Sequence, residues 1–257
     1  MPKFAANLTM MFNEVAFLDR FAAAAKAGFT AVEFLFPYDH PPEVVAALLK
    51  ENGLTPALFN LPPGNWQAGE RGLASLSGRQ GEFRASVDIA LTYARSTGVR
   101  RLHVMAGRAS RKDPAAVEAY RDAVAFACDR AGQDGIDIVI EPINPRDMPG
   151  YFLDDFDFAA DLIDALNKPN LKLQFDIYHR QIIHGDVLTG LRQFMPIIGH
   201  VQIASVPPRN EPGTGELDDL RVLRELDLLG YTGFVGCEYR PAGDTVAGLG
   251  WLDAFQK

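Results

Sequence analysis

Four apolar runs in this chain each lead into a side chain that carries oxygen. Ile136 to Ile140 leads to Glu141, after which Pro142 stops the strand; Leu171-Lys-Leu-Gln-Phe leads to Asp176, His200-Val to Gln202, and Phe234-Val-Gly-Cys to Glu238. The intervals are 35, 26 and 36 residues. One parallel strand-helix unit takes roughly 30 residues, so each of these side chains falls one strand further round a common sheet. Neighbouring strands lie about 5 Å apart, close enough for the four to share one ion. The donors are all oxygen. That set suits a hard divalent cation, Mg²⁺ or Mn²⁺, better than zinc. The expected metal positions are therefore Glu141, Asp176, Gln202 and Glu238.

The same residues suggest a reaction. Three carboxylates in one dry pocket repel one another, and a divalent cation would relieve that conflict. A carbonyl and an adjacent hydroxyl chelated there would acidify the intervening C–H. One carboxylate could then remove the proton and a second return it to the neighbouring carbon. Glu141 and Glu238 are the expected catalytic pair, and the chemistry is an isomerisation or epimerisation through an enediol. His179, three residues past Asp176, could stabilise enediolate charge. Arg209 is the leading candidate to grip a substrate carboxylate, with Arg71 in reserve. Glu70 and Trp66 complete the expected substrate-binding set. Glu33 sits inside an apolar run, where a charge is costly unless paired, so it is expected in a lumen. His200 should share the inward side of Gln202, while His103 fits either face of its strand.

These positions require a scaffold that gathers strand ends. Apolar runs at 3–8, 31–36, 54–60, 99–106, 136–141, 171–176, 198–203 and 233–239 alternate with helical stretches. Phe17, Leu18, Phe21 and Ala25 give a helical stripe, as do Val44, Val45, Leu48 and Leu49, and Phe83, Val87, Leu91 and Ala94. Weaker helical patterns cover 114–131, 155–167, 185–195, 217–229 and 243–255. Strict alternation implies a parallel sheet, and eight units in 257 residues match the roughly 250 of a (β/α)8 TIM barrel. The expected architecture is α/β, one barrel domain over 1–257, with its site at the C-terminal ends of the strands. Two long loops, 61–73 and 205–216, follow strands three and seven and belong on that face, where such loops act as lids or binding loops. Gly213-Thr-Gly-Glu lacks the lysine and glycine spacing of a phosphate loop; it reads as a turn with Thr214 or Gly215 near the next helix cap.

Composition narrows the partners. A formal net charge of −8 argues against binding nucleic-acid backbone or an anionic membrane surface, but leaves room for a small anion at a local positive site. Cys128 and Cys237 are too few for a disulfide framework and fit a reducing compartment. Cys237 should point away from Glu238 and pack in the barrel. No signal peptide or apolar span is evident, so a cytoplasmic location is the expectation, with no membrane or nucleic-acid partner. A homo-oligomer is compatible with this reading.

Taken together, these motifs resemble the hydroxypyruvate isomerase family of the xylose-isomerase-like barrel superfamily. The likeness runs through Phe4-Ala-Ala-Asn-Leu, Val32-Glu-Phe-Leu-Phe-Pro-Tyr, Gly69-Glu-Arg-Gly and Ile140-Glu-Pro-Ile-Asn. It continues in Asp176-Ile-Tyr-His, Gly199-His-Val-Gln-Ile-Ala, Glu211-Pro-Gly-Thr-Gly-Glu and Gly236-Cys-Glu-Tyr-Arg-Pro. The resemblance implies that Glu141 and Glu238 are the catalytic glutamates, that Glu141, Asp176, Gln202 and Glu238 are the metal positions, and that hydroxypyruvate is converted reversibly to 2-hydroxy-3-oxopropanoate (tartronate semialdehyde). The sister 2-oxotetronate isomerases share the Asn7-Leu-Thr-Met-Met-Phe start, Ala57-Leu-Phe-Asn and Leu102-His-Val-Met-Ala-Gly. Asn210 departs from the His or Gly usual before Glu211-Pro. A ketose 3-epimerase would use the same parts with less need of a carboxylate-binding arginine. An abasic-site endonuclease would need a His-rich multi-metal cluster and a basic groove, and a non-catalytic barrel would have no use for the paired glutamates.

Overall fold

Residues 2–255 are described by the computed structural model. Strands β1 (Lys3–Asn7), β2 (Ala31–Phe34), β3 (Thr55–Asn60), β4 (Arg101–His103), β5 (Asp137–Ile140), β6 (Leu171–Asp176), β7 (Ile198–Ile203) and β8 (Phe234–Cys237) close into a barrel in sequence order. All pairings are parallel, and β1 joins β8 with Lys3 opposite Phe234 and Ala6 opposite Cys237. This is the expected TIM barrel.

Its strands are covered on both faces, so they are nearly all apolar. Ile138, Val139 and Ile140 of β5 are each fully buried, as parallel strands require. The outer layer comprises α1 (Arg20–Lys26), α2 (Pro42–Glu51), α3 (Gln80–Thr97), α4 (Pro114–Gly132), α5 (Phe156–Leu166), α6 (Ile177–Ile183), α7 (Val187–Phe194) and α8 (Asp219–Leu228). In α3, Phe83, Val87, Ala90, Leu91 and Ala94 form the buried stripe, each large side chain contributing about 1.5–3 kcal/mol of burial. Gly98, at φ 77°, ends that helix in the left-handed conformation. Helix α4 begins with Pro114 and an Asp113 cap that accepts from the Ala115 N–H; Asp155 caps α5 by accepting from the Phe158 N–H.

Three boundaries differ from the sequence reading. The run at 99–106 contributes only Arg101–His103 to the sheet; Val104 to Ala106 continue outward and anchor a loop. The stretch 243–255 becomes a 3-10 helix, Ala247–Phe255. Helix α6 is an addition. It starts where Asp176 turns its carboxylate back to accept from the Tyr178 N–H. Thr214 and Gly215 do not cap α8. That position belongs to Asp218, which accepts from the Arg221 N–H.

The register shifts twice, between Val32 and Glu33 in β2 and between Leu173 and Gln174 in β6. Both irregularities introduce polar side chains into the lumen, the usual effect of a bulge near a site. Glu33 occupies space that β8 leaves open at Gly236, where a Cβ would lie 2.1 Å from Glu33 Oε2.

Candidate active site

The lumen holds a layered polar core. At its base, the Glu33 carboxylate accepts from Asn7 Nδ2 (2.9 Å), Gln202 Nε2 (2.8 Å) and His200 Nε2 (2.6 Å). All four residues are buried. Three donors compensate one charge, which is how a buried carboxylate is retained. Glu33 and His200 therefore face inward as expected. His103 also takes the lumen side, with Nδ1 3.7 Å from Glu141 Oε2.

Above this base lie the strand-end carboxylates. Glu141 and Glu238 are the first residues beyond β5 and β8, and Asp176 is the last residue of β6. His179 Nε2 stands 3.8 Å from Glu141 Oε1 and 3.5 Å from Asp176 Oδ2. The Arg209 guanidinium spans Glu238 (3.4 Å), Asp176 (3.7 Å) and Asp147 (3.6 Å) and lies over the Tyr178 ring at 4.7 Å. Arg209 reaches this place from a left-handed backbone (φ 57°), its N–H donating to Ser205 O and its carbonyl accepting from the Arg240 N–H.

Burial sets the protonation states. It pushes Glu141 well above the usual carboxylate range, and the neighbouring charges of Glu238 and Asp176 push it further. Burial raises Glu238 to about 8 and Asp176 to about 6, with Arg209 pulling both back. His179 is held well below the ordinary imidazole value by burial and then by Arg209. His103 falls to about 3 through burial and then His200. Burial opposes the charge on Arg209, but Glu238, Asp176 and Glu141 more than reverse that.

The tautomer of His179 follows from its neighbours. The backbone N–H of Asn144 points at His179 Nδ1 (3.3 Å), and Asn144 Nδ2 lies 2.7 Å from the same atom. A backbone N–H can only donate, so Nδ1 accepts and the proton of the neutral ring sits on Nε2. That proton faces the cavity.

The donor set was tested against a cation. Glu141 Oε1 and Asp176 Oδ2 are buried without hydrogen-bond partners, and with His179 they form a group whose ligand atoms lie within 4.8 Å of one another. Two unpartnered carboxylate oxygens fit a hard divalent ion. His179 in the tautomer that Asn144 imposes presents N–H rather than a lone pair. The Gln202 amide oxygen accepts from Gln174 Nε2 (2.6 Å) while its nitrogen serves Glu33. Glu238 faces the same cavity and pairs with Arg209 at 3.4 Å.

A cavity of about 410 Å³ opens over these residues, lined by Glu141, His179, Arg209, Glu238, Trp66 and Arg71 among others. Glu70 is not in the lining. It turns back to bind Arg79 (2.6 Å) and to accept from the Asn65 N–H, holding the 61–73 loop in shape. Trp66, 37 % exposed, packs between Phe36 and the Arg71 guanidinium. Sequence reasoning passed over Asn144, Asp147, Tyr178 and Gln174. Gln174 was accessible by alternation, since it precedes Asp176 by two and shares its face.

The model of the xylose isomerase-like TIM barrel family matches residues 21–255. The chain belongs to this family. Over 99% of both chains it is 53% identical to a protein of Cupriavidus necator named 2-oxo-tetronate isomerase. Over the full length of both it is 41% identical to the Escherichia coli protein named hydroxypyruvate isomerase. A crystal structure from Brucella melitensis, described as an AP endonuclease of family 2, superimposes with a TM-score of 0.98 at 48% identity, covering 100% of both chains. This member of the xylose isomerase-like family is an enzyme, an isomerase. No helix among its described residues is long and apolar enough to cross a membrane.

Proposed function

We propose that this isomerase interconverts hydroxypyruvate and tartronate semialdehyde by proton transfer through an enediol. The observation that carries the reading is the asymmetry of its two glutamates around one cavity. Glu238 lies 3.4 Å from Arg209, whose charge pulls it back against burial to about 8, within reach of ionisation in mildly alkaline solution. Glu141 has no guanidinium in contact and is held far above the usual range by burial, which supports its protonated form. Carboxyl groups driven into different states are the standard means of making an acid and a base from one residue type.

In the forward direction Glu238 removes a proton from C3 of hydroxypyruvate, and the electron pair moves through C2 to the oxo oxygen. The His179 Nε2–H donates to that oxygen as charge develops. Neutral imidazole, better matched than imidazolium to an enediolate, is what its surroundings enforce. Glu141 delivers a proton to C2, the C3 hydroxyl proton passes to O2 directly or through solvent, the aldehyde forms at C3, and a proton passed from Glu238 to Glu141 through solvent restores both. The acid role of Glu141 applies without a metal ion; a divalent cation, Mg²⁺ or Mn²⁺, would be held by Asp176 together with an ionised Glu141. When bound it would polarise the substrate oxygens and make the C–H more acidic.

A second reading, 2-oxotetronate as the preferred acid, is favoured by the 53% identity to the Cupriavidus necator protein against 41% to the Escherichia coli one. The chemistry is unchanged, with one further hydroxylated carbon. An abasic-site endonuclease has less support. Among the described residues the metal-capable group contains a single histidine, and the net charge is −8.

The test is NMR-monitored turnover of both acids in D₂O, with chelator and with added Mg²⁺ or Mn²⁺. Interconversion with deuterium appearing at the carbon that receives the proton is expected, and the faster acid identifies the substrate. Absence of turnover of either acid under every metal condition would overturn the reading.

A further inference from the structure

We propose that Arg71, not Arg209, receives the carboxylate of the substrate. The proposal deepens the isomerase reading above and rests on it.

Arg209 already faces three carboxylates, Asp147, Asp176 and Glu238, and its side chain is only 11 % exposed. Its Nε is buried without a hydrogen-bond partner, but a fourth carboxylate would enter a site that already holds three. The position of Arg209 instead suits the task of favouring the ionised forms of Glu238 and Asp176 and holding them in place.

Arg71 lines the same cavity and is in the opposite condition. Nη1 donates to the carbonyls of Trp66 (3.0 Å) and Glu70 (2.7 Å), and the guanidinium carbon lies 3.8 Å from the Trp66 ring centre. Among the described residues no carboxylate pairs with it. Those contacts use the two hydrogens of Nη1. The Nε and Nη2 hydrogens remain, and they form the fork that receives a carboxylate with two parallel bonds. Burial and the nearby Arg108 both disfavour its charge, an electrostatic demand that an incoming anion would meet.

The loop also fixes Arg71 before substrate arrives. Gly72 pairs with Ala106 in an isolated antiparallel bridge. Its φ of 118° and the 2.2 Å that would separate a Cβ from Met105 O exclude a side chain there. Glu70, the residue before Arg71, is clamped by Arg79. Preorganisation of this kind lowers the ordering cost of binding. Arg240 lines the cavity too, but it is exposed and no side-chain hydrogen bond among the described residues holds it. It provides a control for loss of one positive charge at the rim.

The experiment measures calorimetric binding of tartronate (hydroxymalonate) and steady-state kinetics for R71M, R71K and R240M, each checked for an unchanged melting temperature. Dihydroxyacetone serves as the neutral substrate, since it replaces the carboxylate of hydroxypyruvate by a hydroxymethyl group. R71M is expected to weaken tartronate binding and raise KM for hydroxypyruvate by about tenfold to a hundredfold, the scale of charged hydrogen bonds, while kcat changes less than threefold. R71K should recover part of the loss, R240M should cost less than R71M in both values, and any turnover of dihydroxyacetone should be the same in R71M as in wild type. Tartronate affinity unaltered in R71M, no tartronate binding by the wild type, or a parallel loss on dihydroxyacetone would each overturn the proposal. Failure of the isomerase reading is separately visible as wild type that binds tartronate but converts neither acid.

Discussion

Glu141 and Glu238 differ in their company more than in their depth. Both are buried, but only Glu238 has a guanidinium against it. That difference makes the two glutamine variants distinguishable. E238Q removes the base and should abolish both isomerisation of hydroxypyruvate and deuterium uptake at its C3. E141Q keeps the base but loses the acid at C2, so C3 should still exchange faster than in buffer while product formation falls. Each loss should be about 10²- to 10⁴-fold, the usual worth of a positioned acid or base; equal exchange in the two variants would reverse or abolish the assignment. The glutamates were legible because strand ends announce themselves as apolar runs stopped by a carboxylate. Gln202 shows the limit. Its backbone position is where the spacing put it, but the orientation of its amide is decided by Gln174 and Glu33 from β6 and β2, and a linear pattern does not state cross-strand partners. The same limit applies to Arg209 and Arg71. Both are loop arginines in sequence; only the fold reveals that one faces three carboxylates and that the other, among the described residues, pairs with none.

Elements position these residues through their ends. Asp176 closes β6 and caps α6 in one step, which puts His179 on the first turn of a helix and aims it back at the strand ends. The alternation of strands and helices was readable from apolar periodicity, since barrel strands are buried on both faces. The helix that starts at Ile177 was not, because its signal is a single capping carboxylate already counted as a ligand. The 205–216 loop that carries Arg209 is tied down by a second buried carboxylate. Asp219 Oδ2 accepts from the Gly213 N–H (2.7 Å), while Oδ1 is buried without a partner. Burial raises this carboxyl from 3.8 to about 6, with the Gly213 bond opposing. A folded-state value above the unfolded one means that the folded chain binds the proton more tightly. The Asp219 contribution is thus most favourable below about pH 4 and declines as pH rises to about 6, by at most about 3 kcal/mol. The asparagine variant D219N retains an acceptor for Gly213 and cannot ionise. Its melting temperature relative to wild type should therefore climb between pH 4 and pH 7 and level off above. A difference that stays flat across that range would show that Asp219 does not titrate there.

At the scale of the whole molecule, the two free cysteines report on how the barrel opens. Cys128 sits in α4 in the outer layer and Cys237 in β8, the strand that closes the barrel against β1. Both are fully buried. Burial pushes the Cys128 thiol up to about 12 and raises Cys237 well above the ordinary thiol range, so neither supplies the thiolate that reacts with disulfide reagents. Cys237 has no part in the chemistry of its neighbour Glu238, because successive strand positions face opposite sides. The native protein should consequently show no thiol reactive toward an aromatic disulfide reagent, and the urea-unfolded protein two. The informative quantity is how they appear. β8 cannot leave without breaking the sheet at both its edges, since it pairs with β1 and β7, whereas α4 could detach from the outer layer with less disruption. If the barrel is one cooperative unit, the two thiols become reactive at the same urea concentration and along the same curve as loss of far-UV ellipticity. Cysteine-to-serine variants C128S and C237S, each reporting one site, separate the signals. Earlier exposure of Cys128 would show that the helical layer opens before the sheet. Earlier exposure of Cys237 would show that the seam between β1 and β8 is where the barrel gives way.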